Sequence, residues 1–212
     1  MSKKYLKTIK FDQFHNVNDS HKDSFHNLSK DDDNKFYLVQ SNNLAFNFDE
    51  IHKDFSKQKK CETTTTSDSI YYDDDKYFFI EFKNTSGAKD TFPKALLKKM
   101  VGAYFNFNDL LIDEGHMRGN YSSLNYYKVF IMVHSKLKYD DFFKKQKDKN
   151  NNKDEDIERN EAHRNRVNTN SLAEKMKVFT DPFLHYLYDE IYIIDDNSFD
   201  RTIAPYLDQL KN

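Results

Sequence analysis

Apolar residues fall in short, separated runs along this chain, and the step between them predicts the element each run forms. The strongest run is Tyr77-Phe78-Phe79-Ile80-Glu81-Phe82-Lys83. Successive side chains of a strand point to opposite faces, so Tyr77, Phe79, Glu81 and Lys83 share one face and Phe78, Ile80 and Phe82 the other. A strand apolar on both faces is a central strand covered from both sides. Asp73 to Lys76 is a turn joining it to an extended segment that contains four threonines and Ser67-Asp68-Ser69-Ile70-Tyr71-Tyr72, so residues 61–84 read as a hairpin. Upstream, Phe36 to Gln40 is a short strand. Leu44, Phe48, Ile51 and Phe55 then fall at steps of four, three and four, predicting a helix over 43–60 with Ser41 or Asn42 as its cap.

After the break at Thr85-Ser86-Gly87, a helix over 89–113 carries Phe92, Leu96, Met100, Ala103, Phe107 and Leu110 or Leu111 as its apolar stripe. Pro93 suits its first turn and Gly115 its stop. Tyr126 to Val133 is a second buried strand. A strand, a long helix and a strand form a crossover unit whose two strands run parallel. A helix at Leu172–Phe179, a strand at Leu187–Ile194 and a closing helix at Phe199–Leu210 complete the pattern. The fold class expected is α/β: a central mixed sheet of four to five strands flanked by helices.

The 212 residues predict a polar N-terminal arm at 1–34 and one domain at 35–212, with a charged insertion at about 135–170 that is a solvated helix or a mobile loop. Hydrophobic residues make up only 37% of the chain, but aromatic residues reach 16%, and large rings bury enough area to build a core. No apolar run is long enough to span a bilayer, and the N-terminus has no secretory signal. Cys61 is the only cysteine, which excludes an internal disulfide and a four-cysteine zinc site and fits a reducing cytoplasm. Four glycines, none in a phosphate-loop spacing, exclude the two common nucleotide-binding motifs, and no G-x-S-x-G or H-E-x-x-H occurs. His15, His21 and His26 lie at intervals that do not share a helix face. A formal net charge of −2 leaves only a local basic groove as a route to nucleic acid.

The pattern with chemical content is Asp68 followed, thirteen residues on, by Glu81-Phe82-Lys83 on the next strand. A Glu and a Lys on one strand face are most often a surface pair contributing ~0–1 kcal/mol. Here they end a strand that is apolar on both faces, where a charged pair without a role would be costly. With a helix before the hairpin and a helix and strand after it, residues 43–134 resemble the PD-(D/E)xK nuclease superfamily. The family's proline before the acid is replaced here by Ser67. The resemblance implies a restriction-endonuclease-like fold and a metal-dependent nuclease that hydrolyses phosphodiester bonds, acting on DNA in preference to RNA. Asp68 and Glu81 would hold Mg²⁺ or Mn²⁺ together with the Phe82 carbonyl. Lys83 would orient and help deprotonate the attacking water or stabilise the transition state. The acid that many members add from the preceding helix would be Glu50, with Asp49 and Asp54 competing, and Glu62 is an alternative hairpin acid. Lys94 and Lys98 would reach substrate phosphate. The partner implied is nucleic acid and not a membrane, with a homodimer as one option. The alternative function is a non-catalytic nucleic-acid- or protein-binding module on the same fold.

Overall fold

The structure is a computed structural model that describes residues 5–15, 17–31, 33, 35–86, 92–116, 126–151 and 172–209. Its strands in chain order are β1 (Lys22–Ser24), β2 (Lys30–Asp31), β3 (Phe36–Tyr37), β4 (Leu44–Asn47), β5 (Ser69–Tyr72), β6 (Lys76–Lys83), β7 (Tyr127–His134) and β8 (Glu190–Asp195). Its α-helices are α1 (Phe25–Leu28), α2 (Phe48–Lys59), α3 (Phe92–Asp113), α4 (Lys136–Asn151), α5 (Leu172–Thr180), α6 (Asp196–Ser198) and α7 (Ala204–Gln209), the last two joined by a π-helical turn at Phe199–Ile203. Among these residues no helix is long and apolar enough to cross a membrane.

Six strands form one mixed sheet in the order β1-β4-β5-β6-β7-β8. Pairs on the β1 side of β6 are antiparallel, and β6–β7 and β7–β8 are parallel. The fold is therefore α/β with a mixed sheet flanked by helices, and the sheet is wider than the four to five strands expected. The parallel β6–β7 pair joined through α3 is the crossover that the helix-length gap between the two apolar runs implied.

Alternation along β6 splits the core in two. Tyr77 and Phe79 pack with Phe46, Ile70, Phe130 and Met132 beneath α2, α3 and α5. Phe78, Ile80 and Phe82 pack on the other face with Phe25, Val129, Ile131, Phe199 and Leu207. Fully burying one such ring contributes ~2–3 kcal/mol, and the edge-to-face contacts of Phe79 with Phe107 and Tyr188 add to it.

Three expectations need correction. The helix expected from 43 begins only at Phe48: Leu44 to Asn47 is strand β4, Leu44 is half exposed, and the Asn47 side chain caps the helix by accepting the Glu50 amide at 3.0 Å. Steps of three and four across a strand–helix junction had mimicked a helical stripe. Next, the N-terminal arm is not a loose polar arm where it is described. Phe11, Phe14, Val17 and Phe25 are buried, and β1 forms an edge of the main sheet. Isolated aromatics several residues apart show no period, yet each fills a hole in the core. Lastly, the Phe36 run contributes only β3, paired with β2 in a separate two-stranded ribbon. Residues 136–151 of the charged segment form α4, and 152–171 lie outside the described residues.

Candidate active site

The site is built where four segments meet: the stretch leading into β5, the C-terminal end of β6, the start of α2 and the second turn of α3. The β5–β6 register pairs Ser69 with Ile80, and one further step brings Asp68 opposite Glu81. Asp68 is tied down on both sides. Its Oδ2 accepts the Phe82 amide at 2.6 Å, and its carbonyl accepts the amide of Phe48, the first residue of α2, at 3.1 Å.

The approach to Asp68 is fixed by α2 and α3. The Thr64 amide donates to His52 Nε2 at 3.1 Å, and the Thr64 hydroxyl donates to Asn106 Oδ1 at 2.8 Å. The Thr65 hydroxyl donates to the Lys98 carbonyl at 3.2 Å. A Cβ at Gly102 would lie 1.8 Å from the Thr65 carbonyl oxygen, so only glycine lets the helix and this segment come so close. That contact lies one turn of α3 beyond Lys99.

Glu81 is fully buried. Lys83 Nζ lies 2.5 Å from its Oε1 and Lys99 Nζ lies 3.4 Å from its Oε2, but neither oxygen receives a hydrogen bond of good geometry. Lys99 Nζ is also 3.3 Å from Asp68 Oδ1 and 3.9 Å from Asp49 Oδ2. Three carboxylates and two ammoniums thus form one connected cluster. Beside it is a cleft of about 370 Å³ lined by Asp68, Phe82 and Lys83 together with residues 28–31 and 84–85.

Burial, aided by the neighbouring Asp68 charge, raises Glu81 to about 8 against the opposing pull of Lys83 and Lys99. Asp49 is also raised, by burial first. Burial acts to lower both lysines, but the carboxylates outweigh it and hold both above the ordinary value. The two sides of the cluster therefore pull in opposite directions. Both lysines retain solvent contact and Glu81 has none, so near neutrality the lysines stay protonated and Glu81 is the group whose charge changes.

Asp68, Glu81 and Lys83 come together as expected. The Phe82 amide is bonded to Asp68. Glu50 is corrected: it is exposed and paired with Lys53 at 2.6 Å, and the α2 acid joined to the cluster is its neighbour Asp49. Asp54 pairs with Lys57 and His21, and Glu62 is exposed. Lys94 and Lys98 are exposed on α3, and the lysine brought into the cluster is Lys99. A signal for Lys99 existed: it falls three residues after Leu96 and four before Ala103, beside the buried stripe.

Among the described residues no three His, Cys, Asp or Glu side chains form a ready-made metal cage. The donor set nevertheless suits a hard divalent cation. Asp68, just ahead of β5, and Glu81 on β6 offer carboxylate oxygens, and those of Glu81 are buried without hydrogen bonds of good geometry. No protein-family model, curated protein or solved structure matches this chain.

Proposed function

We propose that the protein is a metal-dependent nuclease of the PD-(D/E)xK kind, with a restriction-endonuclease-like fold, acting on DNA in preference to RNA. The observation that carries this reading is the convergence of Asp68, at the entry to β5, with Glu81 and Lys83 of β6 beside an open cleft. Three further features support it. The acids come from an antiparallel hairpin, a parallel crossover strand follows, and the helix between them supplies a second lysine.

Asp68 and Glu81 would hold the ion. When bound, Mg²⁺ or Mn²⁺ supplies neutralisation of the charge that develops on the phosphoryl oxygens. Lys83 lines the cleft as an ammonium, because the Glu81 and Asp68 charges keep it protonated against burial. It therefore acts as a positive donor that orients water and stabilises the transition state, rather than as the base. Asp68 is held by the Phe82 amide before any ligand arrives, which supports a preorganised site.

A second reading, a binding module without turnover, is favoured by one observation: the Lys99 ammonium already lies among the carboxylates. One assay separates the two. Wild type with Mg²⁺ or Mn²⁺ is tested on supercoiled, linear and single-stranded DNA and on RNA. The nuclease reading expects cleavage of DNA that chelator stops, and loss by a factor of hundreds in Lys83→Ala and Glu81→Ala, about 3–4 kcal/mol of transition-state stabilisation. Retained DNA binding without cleavage under either metal would establish the module instead.

A further inference from the structure

Lys99 has a feature that the other lysines of the cluster and of α3 lack. Its Nζ is 3.3 Å from Asp68, 3.4 Å from Glu81 and 3.9 Å from Asp49, so it is shared among acids from three different segments and bound tightly to none. A committed charge-assisted pair is shorter, about 2.7–2.9 Å. Lys83 lies closer to a single acid, 2.5 Å from Glu81 Oε1, and stands on the cleft side. Lys94 and Lys98 stay in solvent. Lys99 thus places its ammonium between all three acids, against a fully buried Glu81 whose oxygens receive no hydrogen bond of good geometry.

We infer that Lys99 is the resident counter-ion of this cation position, and that a divalent ion enters by displacing its ammonium rather than by joining it. This rests on the nuclease reading only in taking the position to be one for a metal. The charges favour exchange. With all three acids ionised, as a bound ion requires, three carboxylates against two ammoniums leave the cluster one positive charge short of balance, and a divalent ion taking the place of Lys99 brings it to neutrality. An ion added beside Lys99 would overshoot. Two cations sharing the same carboxylate oxygens would also lie within a few ångströms of each other in a partly dry site, where like charges repel strongly. A lysine suits the role, since its compact charge sits on a flexible four-carbon stem that can withdraw without moving α3. Between metal-free and metal-bound states the acids are then never left facing one another alone, which would otherwise strain a pocket containing fully buried Glu81.

The test is Mn²⁺ binding to the full-length chain, without nucleic acid, by titration calorimetry on wild type, Lys99→Met and Lys99→Arg. Removing the competing charge in Lys99→Met should tighten Mn²⁺ about tenfold or more at unchanged stoichiometry, a change worth about 1.4 kcal/mol. Lys99→Arg keeps the charge and should stay within about threefold of wild type. Equal or weaker binding by Lys99→Met overturns the inference, and so does equal tightening in both variants, which would mean that the pocket has merely loosened. No Mn²⁺ binding by any of the three also overturns it. If Lys99→Met is too unstable without metal for calorimetry, the rise in its melting temperature with Mn²⁺ is compared with that of wild type. A larger rise supports displacement, and an equal or smaller one refutes it. Tight binding in Lys99→Met combined with no cleavage by wild type would remove the nuclease reading and leave the inference standing.

Discussion

The Asp68 carboxylate accepts the backbone amide of Phe82 at 2.6 Å, so the first acid of the cluster is fastened to the strand that carries the second. The bond fixes the spacing of Asp68 and Glu81 through the main chain. Replacing Asp68 with alanine leaves that amide without its acceptor and Lys99 without one of its counter-charges. Asp68→Ala should lose about 1.5–3 kcal/mol in urea denaturation, the range for hydrogen bonds to a charged group. Asp68→Asn keeps an oxygen for the amide and should lose under about 1 kcal/mol. On the nuclease reading both should lose cleavage, and equal stability losses in the two variants would show that the amide bond does not hold the site.

Glu81 predicts an unusual pH dependence in chelator-treated, metal-free protein. A carboxyl raised from its ordinary 4.5 to about 8 binds its proton more tightly in the native state than in the unfolded chain. Its contribution to stability is therefore fully present below about 4.5 and falls as pH rises toward 8. Facing it are Asp68 ahead of β5, Lys83 on its own strand and Lys99 on α3, and both lysines titrate above this window. Glu81→Gln cannot titrate. It should gain stability relative to wild type as pH increases from 5 to 8, at up to about 1.4 kcal/mol per pH unit. Parallel stability curves for the two proteins would rule this out.

Gly102 is a point of close contact between α3 and the approach to Asp68. An alanine there gains helix propensity of ~1 kcal/mol, but its Cβ would meet backbone rather than a side chain able to move aside. Gly102→Ala should therefore be destabilising by about 1–3 kcal/mol in thermal or urea unfolding. On the nuclease reading, the displaced Thr65 segment should also lower cleavage beyond what the loss of folded protein explains. A stabilised Gly102→Ala would show that the close approach is not maintained in solution.

His52 supplies the acid limb. It is buried, and its Nε2 accepts the Thr64 amide, which requires an unprotonated nitrogen. Burial lowers its pKa from 6.5. A histidine depressed in the native state contributes stability that is present above the unfolded value and lost as pH falls below it. Wild type should lose stability as pH falls below about 6.5, and His52→Gln should lose less over the same range. An identical acid dependence in the variant would exclude His52 as a source.

Much of the fold follows from local periodicity. The two-faced alternation of β6 specified a central strand and put Glu81 and Lys83 on one face, because side-chain direction in a strand depends only on residue parity. The hairpin and the parallel β6–β7 pair followed from a turn sequence and from a connection long enough to hold a helix. Asp68, Glu81 and Lys83 were legible for the same reason: they belong to one hairpin, and register carries one strand's chemistry to the next. The period was misleading where an element changed type within a few residues, as at Leu44–Asn47, and silent where single aromatics such as Phe11 and Phe25 enter the core from irregular chain.

What only the tertiary structure decided is which charges from other elements complete the cluster. Asp49 and Glu50 are adjacent on α2, and Lys98 and Lys99 are adjacent on α3. Neighbours on a helix point about 100° apart, so the choice between them depends on the rotation of each helix against the sheet. For α3 that rotation is set by the contact of Gly102 with Thr65, and for α2 by the Asn47 cap and the Phe48–Asp68 bond. The Asn47 cap is local, but the Gly102–Thr65 and Phe48–Asp68 contacts join segments far apart in the chain. The sequence alone determined which strand carries the acids and the lysine, and long-range packing determined that Asp49 and Lys99, rather than Glu50, Lys94 or Lys98, stand beside them.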